Sequence, residues 1–216
     1  MLSLSPADLI TRVLILLIVF PAHELAHAII ATSMGDPTPR LHGRLTLNPF
    51  KHLDLVGSML FVFVGVGWAS TPINPENFGE NRRIKMGLVA LAGPLTNLAL
   101  AVVGAVPFYL FHWIPTTVSM NQYYPDPAYF FSIFVFLNLL LAVFNLIPIA
   151  PLDGAQVLGA LVGGEAAERF DAFQKFGPFA LIVLVFILPI LGFNVLVQLV
   201  QSVVVPAMQL LFIGIH

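Results

Sequence analysis

A chain of 216 residues that is 58% hydrophobic and 9% charged, with a mean hydropathy of +0.94, is not a soluble domain; such domains carry about 25% charged residues, and here lipid must cover the surplus apolar surface. The formal net charge of -2 and the lack of a long basic run give no support for nucleic-acid binding. Cysteine is absent, which excludes disulfides and thiolate metal sites and leaves His, Asp, Glu and Asn as possible metal ligands.

The first span is expected over about residues 6–33. Asp8 and Arg12 interrupt its start, and no small-residue cleavage site follows the apolar run, so it reads as a span rather than a cleaved signal. Inside it lies His23-Glu24-Leu25-Ala26-His27. On a helix, histidines four apart project from one face and reach one metal ion, while Glu24 lies beside the open coordination position. This is the spacing of zinc hydrolases, in which the metal acidifies a bound water and an adjacent carboxylate, here Glu24, takes its proton. Apolar runs at 14–20 and 28–31 flank the motif. A charge near the centre of such a helix costs about 2.5 to 3.5 kcal/mol, so three ionisable residues within five positions argue for function. The bland alternative is a pair of buried histidines bonded to backbone.

After Gly35-Asp36-Pro37, residues 38–50 read as irregular or strand-like, with Asn48-Pro49 as a turn. The apolar stretch 55–69 is weakened as a helix by Gly57, Gly65 and Gly67. Further spans are expected at about 86–111 and 129–149. A mildly amphipathic segment follows to residue 176, then a span at about 178–200. Residues 201–215 form a fifth span or an interfacial helix, with Pro206 as the break.

Apart from Arg12, the basic residues fall in three segments: Arg40, Arg44 and Lys51; Arg82, Arg83 and Lys85; and Arg169 with Lys175. The positive-inside rule places all three in the cytoplasm. Residues 55–69 must then enter and leave on one side, as a re-entrant or strand-like hairpin buried in protein or lining a cavity. The expected fold is a single all-α polytopic membrane domain over 1–216. It has four to five transmembrane helices and a membrane-embedded hairpin between the first two core helices. The N-terminus lies outside, and Asp153 emerges on the cytoplasmic side.

A catalytic zinc usually takes three protein ligands, so two histidines need a partner. Asp153 is the best candidate, since Pro148, Pro151 and Gly154 prevent a regular helix around it and let a carboxylate turn back toward a metal. Capping of a helix that begins at Gly154 explains the same residue equally well. Three motifs carry a resemblance: His23 to His27, Gly93-Pro94-Leu95-Thr96-Asn97, and Asn145 to Gly154. In this order they resemble the signatures of the site-2 protease family of intramembrane zinc metalloproteases, peptidase family M50, in its compact prokaryotic branch without PDZ or CBS domains. The resemblance implies His23, His27 and Asp153 as ligands of one zinc ion per chain and Glu24 as catalytic base. It also implies a multi-pass protein of the prokaryotic plasma membrane that cleaves transmembrane segments near the cytoplasmic face.

Asn97 and Asn145, polar groups in apolar spans, are candidates for bonding a substrate backbone or an oxyanion, or else are interhelical glue. His52 and Asp54 are weaker candidates for orienting a ligand, and His42 is weighed with them. His112, His216, Trp68 and Trp113 read as interfacial. The expected partners are single-span membrane proteins and the lipid bilayer, with no nucleic acid. Two other readings are a metal-ion transporter using the same three ligands and a catalytically silent binder of transmembrane helices. Neither needs Glu24.

Overall fold

The computed structural model describes residues 4–64, 67 and 69–215. The first helix, α1 (Pro6–Ser33), starts on a capping box: the Ser5 hydroxyl accepts the Asp8 N–H, and the Asp8 carboxylate accepts the Ser5 N–H. Its 28 residues span about 42 Å, more than the hydrocarbon core. Helix α4 (Arg82–Phe111) returns antiparallel to it, and α5 (Pro127–Asn145), capped by Asp126, runs alongside. Gly104 lets α5 approach α4, since a Cβ there would lie 2.7 Å from the Phe134 ring. Short α2 (Thr38–Leu41) and α3 (Leu55–Val64) lie between α1 and α4. After α5 come α6 (Asp153–Leu161), α7 (Gly164–Gln174), α8 (Gly177–Ile190) and α9 (Val195–Leu211).

The distribution of side chains is that of a protein in lipid. Glu24, His27, Asn97, Ser132 and Asn138 are buried, while Ile10, Leu14, Ile18 and Ile29 form an exposed apolar face on α1. Among the described residues three helices, α1, α4 and α5, are long and apolar enough to cross a membrane; a fourth is gained if α7 and α8, bent by 60°, count as one span. The chain is therefore a multi-pass, all-helical membrane protein.

Five expectations are corrected. Residues 55–64 form a helix rather than a strand, because the Asp54 carboxylate accepts the Gly57 N–H at 2.8 Å and starts α3, which holds no other glycine. Among the described residues no strand forms, and Leu53 and Ala69 make one isolated antiparallel bridge. Gly65, Trp68 and His216 lie outside the described residues. Residues 38–50 hold α2 and the start of a 3-10 turn at Pro49–Lys51. The helix expected to 149 ends at Asn145, ahead of Pro148. The span expected at 178–200 is broken between Ile190 and Val195, where Gly192 has φ +88°. Pro206 does not break α9, because the π-helical turn Val200–Val204 before it accommodates the missing N–H.

At the C-terminal end of α1, fully buried Asp36 ties the following loop together. Burial alone would raise its carboxyl. Hydrogen bonds from the Thr38 hydroxyl, the Asn77 amide and the N–H groups of Asn74 and Thr38 outweigh it and hold the group below the usual carboxylate range. The loop is thereby fixed to the end of the helix that carries both histidines.

Candidate metal centre

Helix α5 ends at the depth of the His-Glu-His turn, and the chain stays irregular from Leu146 to Leu152 before α6 begins. Irregular backbone at membrane depth is tolerated where it is enclosed by protein or lines a cavity. Asp153 is the first residue of α6, not the cap before it, and its carboxylate turns to α1: Oδ2 is 3.2 Å from His23 Nε2 and Oδ1 is 3.4 Å from His27 Nε2. This placement is consistent with a metal ligand. Gly154 lets the loop fold back this tightly, because a Cβ would collide with the Leu146 and Ile147 carbonyls.

Helix α4 orients both imidazoles. His27 Nδ1 lies 2.7 Å from the Val89 carbonyl, which can only accept, so Nδ1 carries the proton and Nε2 is left as a lone pair. His23 Nδ1 lies 2.7 Å from Asn97 Oδ1 and is set in the same way. Gly93 stands between these two contacts. A Cβ there would lie 2.5 Å from Nε2 of both histidines, so only glycine leaves the rings their place.

One donor atom from each of His23, His27 and Asp153 lies within 4.8 Å of the other two. With both Nδ1 atoms turned toward α4, the two Nε2 atoms face the Asp153 carboxylate. The Asp153 Oδ2 atom is buried without a hydrogen-bond partner. A His, His, carboxylate set is a donor set for zinc with one position open. The residues fit the metal.

Glu24, buried and adjacent to His23, lines the same cavity of about 410 Å³ as the three donors, as does Asn145. Asn145 donates from Nδ2 to the Leu141 carbonyl at 3.0 Å. Asn97 is fully buried and its oxygen is committed to His23. The other two candidates sit elsewhere: His52 bonds the Thr46 carbonyl at 2.7 Å, and Asp54 starts α3. Sequence reasoning missed Val89, whose contribution is a backbone carbonyl and leaves no mark in the residue type.

The Asn97 contact has a measurable consequence. An Asn97→Leu variant is expected to bind zinc about tenfold more weakly in a chelator competition, the scale on which outer partners of metal ligands act. If Asn97 served an oxyanion instead, turnover would fall with zinc affinity unchanged.

Fold and site together define an integral-membrane metalloprotease: a lipid-embedded His-Glu-x-x-His helix closed by a distant aspartate. Comparison with known proteins agrees. Residues 122–191 match Peptidase family M50. YwhC of Bacillus subtilis (strain 168), named as a candidate zinc metalloprotease, is 38% identical over 190 residues, covering 88% of this chain and 84% of that protein. Rip2 of Mycolicibacterium smegmatis, named likewise, is 30% identical over 180 residues, 79% of this chain and 64% of that one. MJ0611 of Methanocaldococcus jannaschii, also so named, is 37% identical over 141 residues, 64% of each chain. No solved structure gives a significant match. The chain belongs to peptidase family M50.

Proposed function

We propose that this protein is an intramembrane zinc endopeptidase that hydrolyses peptide bonds in the transmembrane segments of single-span membrane proteins, near the cytoplasmic face. The observation that carries this reading is Glu24 opening, with His23, His27 and Asp153, into a cavity formed by membrane-spanning helices. One zinc ion per chain, held by those three residues, would polarise the scissile carbonyl and acidify the attacking water. Glu24 takes the water's proton and hands it to the leaving amine. Helices α1, α4 and α5 wall the cavity, and Asn145 lines it, placed to bond the substrate backbone.

The stretch around Ala69 to Thr71 also lines the cavity, and the Thr71 hydroxyl donates to the Glu24 carbonyl at 3.1 Å. Main-chain pairing along this stretch would hold an unwound substrate by strand addition. The Leu53 to Ala69 bridge brings the two ends of the 55–69 segment together, which supports its re-entrant reading. Arg83 pairs with Asp171, so the second and third basic segments meet at one end of the bundle. That supports a common cytoplasmic side, an N-terminus outside, and a site in the cytoplasmic leaflet.

A transmembrane helix hides its carbonyls in its own hydrogen bonds, so it must unwind before attack. Replacing Gly, Pro or Asn near the scissile bond of a single-span substrate with Leu is therefore expected to slow cleavage by roughly tenfold, since each costs a helix about 1 kcal/mol or more relative to good helix formers. Equal rates across such a series, with purified protein in detergent, would count against local unwinding.

A further inference from the structure

The loop from Leu146 to Leu152 aims Asp153, yet it has few backbone partners of its own. Pro148 and Pro151 have no N–H to offer. Ile147, Ile149 and Leu152 make local turn bonds, to Phe144, Ile147 and Ile149 respectively. The Ala150 N–H and the Pro148 carbonyl are instead met by one side chain from another helix: Gln174, the last residue of α7. Ala150 N donates to Gln174 Oε1 at 2.7 Å, and Gln174 Nε2 donates to the Pro148 carbonyl at 3.0 Å. The carboxamide thus acts as a peptide unit added to the loop, bonded in both directions. Three residues later Gly177, at the start of α8, presses on the same point; a Cβ there would stand 2.7 Å from the Ala150 Cβ and 2.8 Å from its nitrogen. The joint between α7 and α8 therefore seats the loop from outside the bundle, and α7 is itself fastened to α4 by the Arg83 to Asp171 pair.

We infer that Gln174 is a positioning residue for the metal centre: its two hydrogen bonds to the Pro148–Ala150 backbone set the place of Asp153 opposite His23 and His27. This rests on the reading of those three residues as the zinc ligands. Gln174 touches neither ligand nor substrate, so its effect is on how long the metal is held. Through Gln174 and Gly177, displacement of the exposed α7 helix reaches the one ligand that does not come from α1.

The test follows zinc release from the purified, zinc-loaded full chain into excess chelator, with thermal unfolding of the apoprotein measured in parallel. Gln174→Met keeps the volume and removes both bonds; release is expected to quicken about tenfold, the scale of outer-partner loss. Gln174→Glu keeps the acceptor for Ala150 but sets a carboxylate against the Pro148 carbonyl, and should fall between wild type and Gln174→Met. Asp153→Ala is the reference for ligand loss. Wild-type release from Gln174→Met, whether or not the apoprotein melts earlier, overturns the inference when Asp153→Ala releases zinc fast. Retention of zinc by Asp153→Ala would instead overturn the metal centre itself.

Discussion

Glu24→Gln is expected to lower peptide cleavage by about a thousandfold, within the range that a positioned general base contributes, while zinc content stays at the wild-type level. The substitution is nearly isosteric, so the cavity beside His23 keeps its shape, and it removes a buried carboxylate rather than adding one. What it takes away is a group able to accept a proton at the place where the attacking water must lose one. A metal transporter or a silent binder of transmembrane helices would keep its activity in this variant, because neither needs a proton acceptor beside the metal. Cleavage that persists at the wild-type rate would remove Glu24 from the chemistry.

The second large effect belongs to a residue with no side chain. Gly93→Ala places a methyl group 2.5 Å from Nε2 of both His23 and His27, the atoms that must face the metal. Helix α4 must then move away from α1, or the imidazoles must leave the Val89 carbonyl and the Asn97 amide. Either response spreads the donor set, and zinc affinity is expected to fall about a hundredfold, with cleavage falling in step. Gly104→Ala on the same helix is the control. Its Cβ would meet the Phe134 ring at 2.7 Å, so it strains the contact of α4 with α5 and should lower stability while leaving zinc affinity close to wild type. Equal losses of zinc in the two variants would assign the Gly93 effect to general packing.

Much of this site was legible before the fold was known, and the reason is periodicity. His23 and His27 need only one helix to come together, so their spacing sufficed. Asp153 was legible as a residue but not as a role, because a carboxylate at a helix start also caps; the structure adds that it lies within 3.4 Å of both imidazoles. Asn97 and Asn145 stood out equally as polar groups in apolar spans. Both line the cavity, and only the packing of α4 on α1 shows that Asn97 is also the partner of His23. Gly93 matters for an atom it lacks, and the structure alone reveals what that atom would strike.

The fold shows the same division. Hydropathy located α1, α4 and α5, since long apolar helices announce themselves by composition. It ran straight across Gly192 and Asn194, because a break made by backbone dihedrals does not lower hydropathy. The glycines of 55–69 oppose a helix by propensity, yet Gly57 sits inside α3 and its own N–H donates to the Asp54 carboxylate that starts it.

The central claim is that His23, His27 and Asp153 hold a zinc ion with which Glu24 cuts peptide bonds. It is tested most directly by incubating purified protein in detergent with a panel of short single-span substrates: wild type, wild type stripped by chelator, stripped protein restored with zinc, and Glu24→Gln, with zinc measured in each. The account predicts one zinc per chain in wild type and in Glu24→Gln, cleavage in wild type alone, loss on stripping and recovery on restoration. Cleavage that survives both zinc removal and Glu24→Gln would contradict it.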